Sequence, residues 1–122
     1  MKLLLVDDEK LALETLEEAV LTVLPNAECH AFQKAALALA YAEENKIDIA
    51  FLDIDMPVIN GLEMAKRLIK INPNTNIIFV TGFAEYALDA FNLYASAYLT
   101  KPVTADAIAE ALGNLRHPIA EQ

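Results

Sequence analysis

The sequence predicts one α/β domain, a doubly wound sheet of five parallel strands with a helix after each. Three observations predict it. Five short apolar runs alternate with five longer amphipathic stretches. Three of the runs (LLLV, IAFL, IIFV) are continuously apolar, as strands buried on both faces of a parallel sheet are. The whole chain is 122 residues, a length that holds one such domain and little else.

The first run, Lys2–Val6, stops at Asp7, Asp8 and Glu9. Lys10–Leu24 follows with Leu13, Leu16, Val20 and Leu24 at helical spacing and Glu14, Glu17 and Glu18 on another face. Pro25-Asn26 makes the turn into the second run, Ala27–Phe32, and Lys34–Asn45 is the second helix. The third run, Asp48–Leu52, leads into Asp53, and Asn60-Gly61 introduces a helix over Gly61–Ile71. Asn72-Pro73-Asn74 turns into Asn76–Val80, which is followed by Thr81 and Gly82. Glu85–Leu93 is the fourth helix, Ala97–Thr100 the fifth strand and Ala105–Leu115 the last helix. Strand–helix alternation requires right-handed crossovers with helices on both sheet faces, and a flavodoxin-like strand order is expected. The domain is expected to span 1–116, with 117–122 a polar tail or the start of a linker.

Composition removes several function classes. Nine Lys and Arg stand against 18 Asp and Glu, a formal charge of −9. Phosphate neutralisation needs clustered basic residues, so this domain alone is not expected to bind nucleic acid. The opening apolar run is too short for a signal peptide, and nothing approaches a membrane span. The single cysteine, Cys29, forms no intramolecular disulfide and suits a reducing compartment, so a cytoplasmic location is expected. Cys29 reads as a small buried hydrophobe beside His30 rather than as half of a metal site. With three glycines in the chain, no Gly-rich phosphate loop is present.

In a sheet of this type, ligands bind outside the carboxyl ends of the strands, near the point where strand order reverses. The first and third strands are expected to be neighbours, so Asp7, Asp8 and Asp53 converge. Two carboxylates ~4 Å apart repel by roughly 4 kcal/mol at an effective dielectric of about 20, so a proton or a cation must sit among them. Oxygen-only ligands point to Mg²⁺. Capping of the first helix is an alternative use for Asp7 and Asp8, but it leaves Asp53 unexplained. Thr81 and Gly82, after the fourth strand, offer a hydroxyl and an unobstructed backbone N–H. Lys101, after the fifth, offers an ammonium, and the Lys101-Pro102 step is a candidate cis peptide. Acids, hydroxyl and ammonium together suit phosphoryl transfer to a carboxylate, with Asp53 as the nucleophile.

With these pieces in place the sequence resembles the receiver domain of two-component response regulators. The matching motifs are VDDE at Val6–Glu9, FLDIDMP at Phe51–Pro57 with Asn60-Gly61, VTG at Val80–Gly82 and YLTKP at Tyr98–Pro102. The resemblance covers essentially the whole chain. It implies that Asp53 accepts a phosphoryl group from a sensor histidine kinase. It implies Mg²⁺ bound by Asp8 and Asp53, by Asp7 through water, and by the backbone carbonyl of Asp55. It also implies a switch pair, Thr81 and Tyr98, in which the hydroxyl moves toward the phosphoryl group and the aromatic ring turns inward. Such a domain promotes its own phosphorylation and dephosphorylation but turns over no metabolite, so it is not expected to be an enzyme. The stretch Phe83–Pro102 is similar to regulators carrying a LytTR-type DNA-binding domain, which implies an output domain beyond Gln122.

Rival readings stand beside this one. Asp53-Ile54-Asp55 also fits the start of a haloacid-dehalogenase-type phosphatase motif, but Pro57 occupies the Thr/Val position and no downstream acidic pair follows Lys101. A receiver-like interaction module that never becomes phosphorylated would ordinarily lack an acid or the lysine, and here each is present; a stand-alone receiver is an alternative that would end in much the same way. Leu88 and Phe91 are expected to pack on the sheet, and Tyr98 has a core-packing reading as well as a switch reading. The alternative for the fourth helix is a partner face supporting a phosphorylation-dependent homodimer. Asp55 reads as a solvated loop acid.

Overall fold

The computed structural model describes residues 1–119. Its strands are β1 (Lys2–Val6), β2 (Glu28–Phe32), β3 (Ile49–Leu52), β4 (Asn76–Thr81) and β5 (Ala97–Thr100). The helices between and after them are α1 (Lys10–Val23), α2 (Ala35–Glu44), α3 (Gly61–Ile71), α4 (Ala87–Asn92) and α5 (Ala105–Leu112). All four strand pairings are parallel, in the order β2-β1-β3-β4-β5. This is the expected flavodoxin-like sheet, with β1 and β3 side by side and the order reversing at β1.

Side chains alternate across the pleat and divide the core in two. Leu4, Val6, Ala50, Leu52 and Phe79 meet Ala38, Ala42, Met64 and Leu68 of α2 and α3. Leu3, Leu5, Ile49, Phe51, Ile78 and Val80 meet Leu13, Leu16, Val20 and Ile108 of α1 and α5. The β3 and β4 residues are all buried, and apart from Asn76 and Thr81 at the ends of β4 they are all apolar. The edge strands β2 and β5 are covered on fewer sides and are only partly buried.

Element ends differ from expectation by a few residues, for local reasons. Asp48 immediately precedes β3, its backbone still bonded to Lys2 and Asn76 and its carboxylate accepting from the Lys2 amide at 2.8 Å. Asn60 caps α3 by accepting from the Glu63 amide at 2.9 Å, and Thr104 caps α5 by accepting from Ala107 at 3.2 Å. Gly113 ends α5 short of Leu115.

The fourth helix corrects one expectation outright. Leu88 and Phe91 do not pack on the sheet; they are 71% and 74% exposed. α4 is short, and its register turns Ala90 inward, with Tyr86 and Leu93 half-buried beside it. Leu88 and Phe91, three residues apart, therefore share the outward face. Cys29 is half-buried rather than buried, at the rim of the α1/α5 core, and burial pushes its thiol up. His30 faces the other way, bonded to Glu28 and stacked on Tyr41 with ring centroids 4.4 Å apart.

The expected tail is joined to the domain as far as it is described. His117 pairs with the Asn76 side chain, and Ile119 packs against the α1/α5 core. Residues 120–122 of that segment lie outside the described residues.

Candidate functional site

The β1–β3 ladder ends with Val6 opposite Leu52, so the next residues, Asp7 and Asp53, emerge side by side. Their backbones extend the sheet pattern by one step. The Asp53 amide donates to the Val6 carbonyl at 3.0 Å, and the Asp7 amide donates to Phe32 at 3.2 Å. Oxygens of Asp7, Asp8 and Asp53 all lie within 4.8 Å of one another. Asp7 and Asp53 are 2% and 5% exposed, while Asp8 sits half-buried at the rim.

Lys101 enters this cluster from the end of β5. Its amide donates to the Thr81 carbonyl at 2.9 Å, which carries the β4–β5 ladder one residue further. Its Nζ lies 2.7 Å from Asp7 Oδ2, 3.5 Å from Asp53 Oδ2 and 3.9 Å from Glu9 Oε1. The Lys101-Pro102 peptide is cis, as the sequence suggested.

The charges do not balance within the protein. Burial, and then the neighbouring Asp7 charge, raise the Asp53 pKa above the ordinary carboxylate range, and Lys101 only partly offsets them. For Lys101, burial works against the charged form. The hydrogen bond and charge of Asp7, with the charges of Asp53 and Glu9, outweigh it and hold the ammonium above its usual value. One cation thus serves a cluster of carboxylates. An all-oxygen donor set with unneutralised charge fits a hard divalent cation such as Mg²⁺.

Helix capping is not what the paired acids do. The N-cap of α1 is Glu9, without a side-chain cap, and Asp7 Oδ1 instead accepts from the Glu9 amide at 2.9 Å.

Thr81 is fully buried, and its hydroxyl oxygen accepts from the Phe83 amide at 3.3 Å. Tyr98 is half-buried; its hydroxyl donates to the Phe83 carbonyl, and its ring lies 6.4 Å from that of Phe79. Phe83 therefore bridges the two candidate switch residues through its own amide and carbonyl, a link that motif reading does not reveal. Burial raises the Tyr98 pKa. Gly82 is exposed, and a Cβ there would meet nothing within 4 Å, so packing inside the domain does not demand glycine at that position. The Asp55 side chain is exposed, in keeping with a solvated loop acid.

Gly61 is the residue that motif reading undervalued. A Cβ on it would lie 2.1 Å from the Asp53 carbonyl oxygen and 2.8 Å from the Ile54 Cα. Its amide donates to the Ile54 carbonyl at 2.9 Å, drawing the start of α3 against the Asp53 backbone. Asn60-Gly61 reads as a turn in sequence; only the folded chain shows that it braces Asp53. A surface depression of about 920 Å³ lies at the opposite end of the sheet beside Met1, Lys46, Asp48 and His117. Chemistry, rather than concavity, locates the site.

Comparison with known proteins decides the family. Residues 3–113 match the response regulator receiver domain. The chain belongs to that family. Among curated relatives, the positive alginate biosynthesis regulatory protein of Pseudomonas aeruginosa is 38% identical over 97% of this chain and 48% of its own length. The sensory transduction protein LytT of Bacillus subtilis is 35% identical over 92% of this chain and 46% of its own. The receiver thus spans about half the length of these relatives. Among solved structures, the response regulator TrrA of Thermotoga maritima, determined with Mg²⁺ and BeF, superposes with a TM-score of 0.81. It is 29% identical, covering 92% of this chain and 96% of that one. No helix of the described residues is long and apolar enough to cross a membrane.

Proposed function

We propose that this receiver is a phosphorylation-dependent switch in which Asp53 takes a phosphoryl group from a sensor histidine kinase. The reading is carried by the meeting of Asp7, Asp8, Asp53 and Lys101 at the carboxyl ends of β1, β3 and β5. A carboxylate oxygen of Asp53 attacks the phosphorus of a phosphohistidine; the P–N bond breaks, the imidazole leaves with the bonding pair, and an acyl phosphate remains. Mg²⁺, held by the carboxylates of Asp7, Asp8 and Asp53 and the backbone carbonyl of Asp55, would neutralise charge on the transferred group. Lys101 supplies the second cation, Thr81 a hydroxyl and Gly82 a backbone N–H.

The new charge then biases two arrangements of the β4–β5 region. In the present one, Thr81 accepts from the Phe83 amide and Tyr98 donates to the Phe83 carbonyl. Phosphorylation draws the Thr81 hydroxyl toward the phosphoryl oxygens and Tyr98 turns inward, so both bonds to Phe83 are given up together. The output is a LytTR-type DNA-binding domain following residue 122 in a cytoplasmic regulator. The similarity of Phe83–Pro102 to such regulators, the match to LytT and the half-length coverage of the relatives support it.

Borohydride reduction tests the acceptor directly, because it converts an aspartyl phosphate to homoserine. After incubation with an autophosphorylated kinase and Mg²⁺, peptide sequencing is expected to find homoserine at position 53. Homoserine at another aspartate would overturn the assignment.

A further inference from the structure

Far from the acidic site, the buried side chain of Asn76, the first residue of β4, uses all of its carboxamide. Oδ1 accepts from the His117 amide at 2.8 Å and from Ser96 Oγ at 3.1 Å. Nδ2 donates to the His117 carbonyl at 2.8 Å and to the Asp48 carbonyl at 3.2 Å. The side chain thus forms with His117 the paired N–H and C=O contacts that a neighbouring strand would form. Ser96 adds a second attachment, its Oγ accepting from the Arg116 amide at 3.1 Å. The Arg116 guanidinium lies 5.0 Å over the Tyr94 ring, a cation–π contact.

These anchors share one property. Tyr94 and Ser96 belong to the connection from α4 to β5, and Tyr98 lies two residues past Ser96. The connection is strained at Tyr94, held at φ 58 in the left-handed region, and is itself joined to β4 where the Ser96 amide donates to the Ile77 carbonyl at 2.8 Å. The chain leaving α5 is therefore tied to the core by Asn76 and to the switch region by Ser96 and Tyr94.

We propose that Asn76, Ser96 and the Arg116–Tyr94 stack form a latch that holds the segment leaving α5 and releases it when the switch is thrown. The proposal rests on the switch reading given above. An inward turn of Tyr98 shifts the α4–β5 connection and removes the Tyr94 stack and the Ser96 bond, so the His117 pairing with Asn76, left without support, opens more often. The latch thereby converts a change at the carboxyl ends of the strands into freedom of the exit segment at their amino ends.

Limited trypsin digestion reads the latch, because the scissile Arg116–His117 amide is the one bonded to Asn76. Cleavage follows the population of the open form, so Mg²⁺ with beryllofluoride is expected to speed loss of His117–Gln122 about tenfold. Asn76→Ala and the surface variant Tyr94→Leu are expected to be cleaved fast without the mimic and to gain little from it. Tyr94→Leu carries the test if Asn76→Ala does not fold. Fluorine NMR of bound beryllofluoride in the same samples separates two failures. A bound signal with unchanged cleavage overturns the latch alone, and absence of a bound signal overturns the switch reading with it. Tyr94→Leu cleaved as slowly as the parent chain also overturns the latch.

Discussion

A methyl group on Gly61 would overlap the Asp53 carbonyl, so Gly61→Ala must push α3 or the β3–α3 loop away from the acidic cluster. The obstacle is backbone, which cannot rotate aside as a side chain can. The expected cost is about 3 kcal/mol in urea unfolding, with slower phosphorylation in the molecules that remain folded. Wild-type stability in this variant would show that the contact is not binding. Asp53 itself is held at an energetic disadvantage without metal. Its folded pKa is raised, so the native state keeps that proton more tightly than the unfolded chain does. The resulting stability is complete below the ordinary carboxylate range and is lost as pH rises through the raised folded pKa. Asp53→Asn carries no such charge and is expected to melt higher than wild type at neutral pH in a chelator. Saturating Mg²⁺ should reverse the order, because it binds the folded wild type. A lower melting temperature for Asp53→Asn in chelator would contradict the cause assigned to the shift. Asp7, Asp53, Thr81 and Lys101 were legible in the sequence because each directly follows or ends a strand-like run, and Asp8 because it adjoins Asp7. The roles of Gly61 and Asn76 were not legible, because each depends on a backbone that only folding brings near.

At the scale of elements, the loop from β3 to α3 carries a visible strain. Val58 has φ 67, a left-handed conformation unfavourable for a β-branched residue, and its side chain is fully exposed. Asparagine tolerates that conformation and gives up no packing there. Val58→Asn is expected to raise stability by about 1 kcal/mol, read as a higher urea midpoint with an unchanged slope. A lowered midpoint would mean that the valine is held by contacts not visible in the isolated domain. The interior strands and the strand order were legible because parallel strands covered on both faces must be apolar throughout. The outward face of α4 was not legible. Its aromatic and aliphatic residues fit a core face or a partner face equally well, and only the inward turn of Ala90 separates them.

The whole molecule combines a largely apolar interior, a formal charge of −9 and an exposed apolar set comprising Phe83, Leu88, Phe91 and Tyr94 around α4. Large apolar residues gathered on one side of an acidic domain suit a partner surface, and a second receiver copy is the expected partner. Sedimentation velocity with Mg²⁺ and beryllofluoride is expected to show a faster, concentration-dependent species that Phe91→Ser weakens. Identical profiles with and without the mimic would contradict a phosphorylation-dependent homodimer. The chemistry underlying every such change is phosphoryl transfer to Asp53, and intact-protein mass spectrometry with a small acyl-phosphate donor tests it most directly. Wild type is expected to gain a single phosphoryl mass in Mg²⁺ and none in chelator, with Asp53→Asn unmodified in both. A phosphoryl increment that persists in Asp53→Asn, or that forms equally well without the metal, would contradict the account.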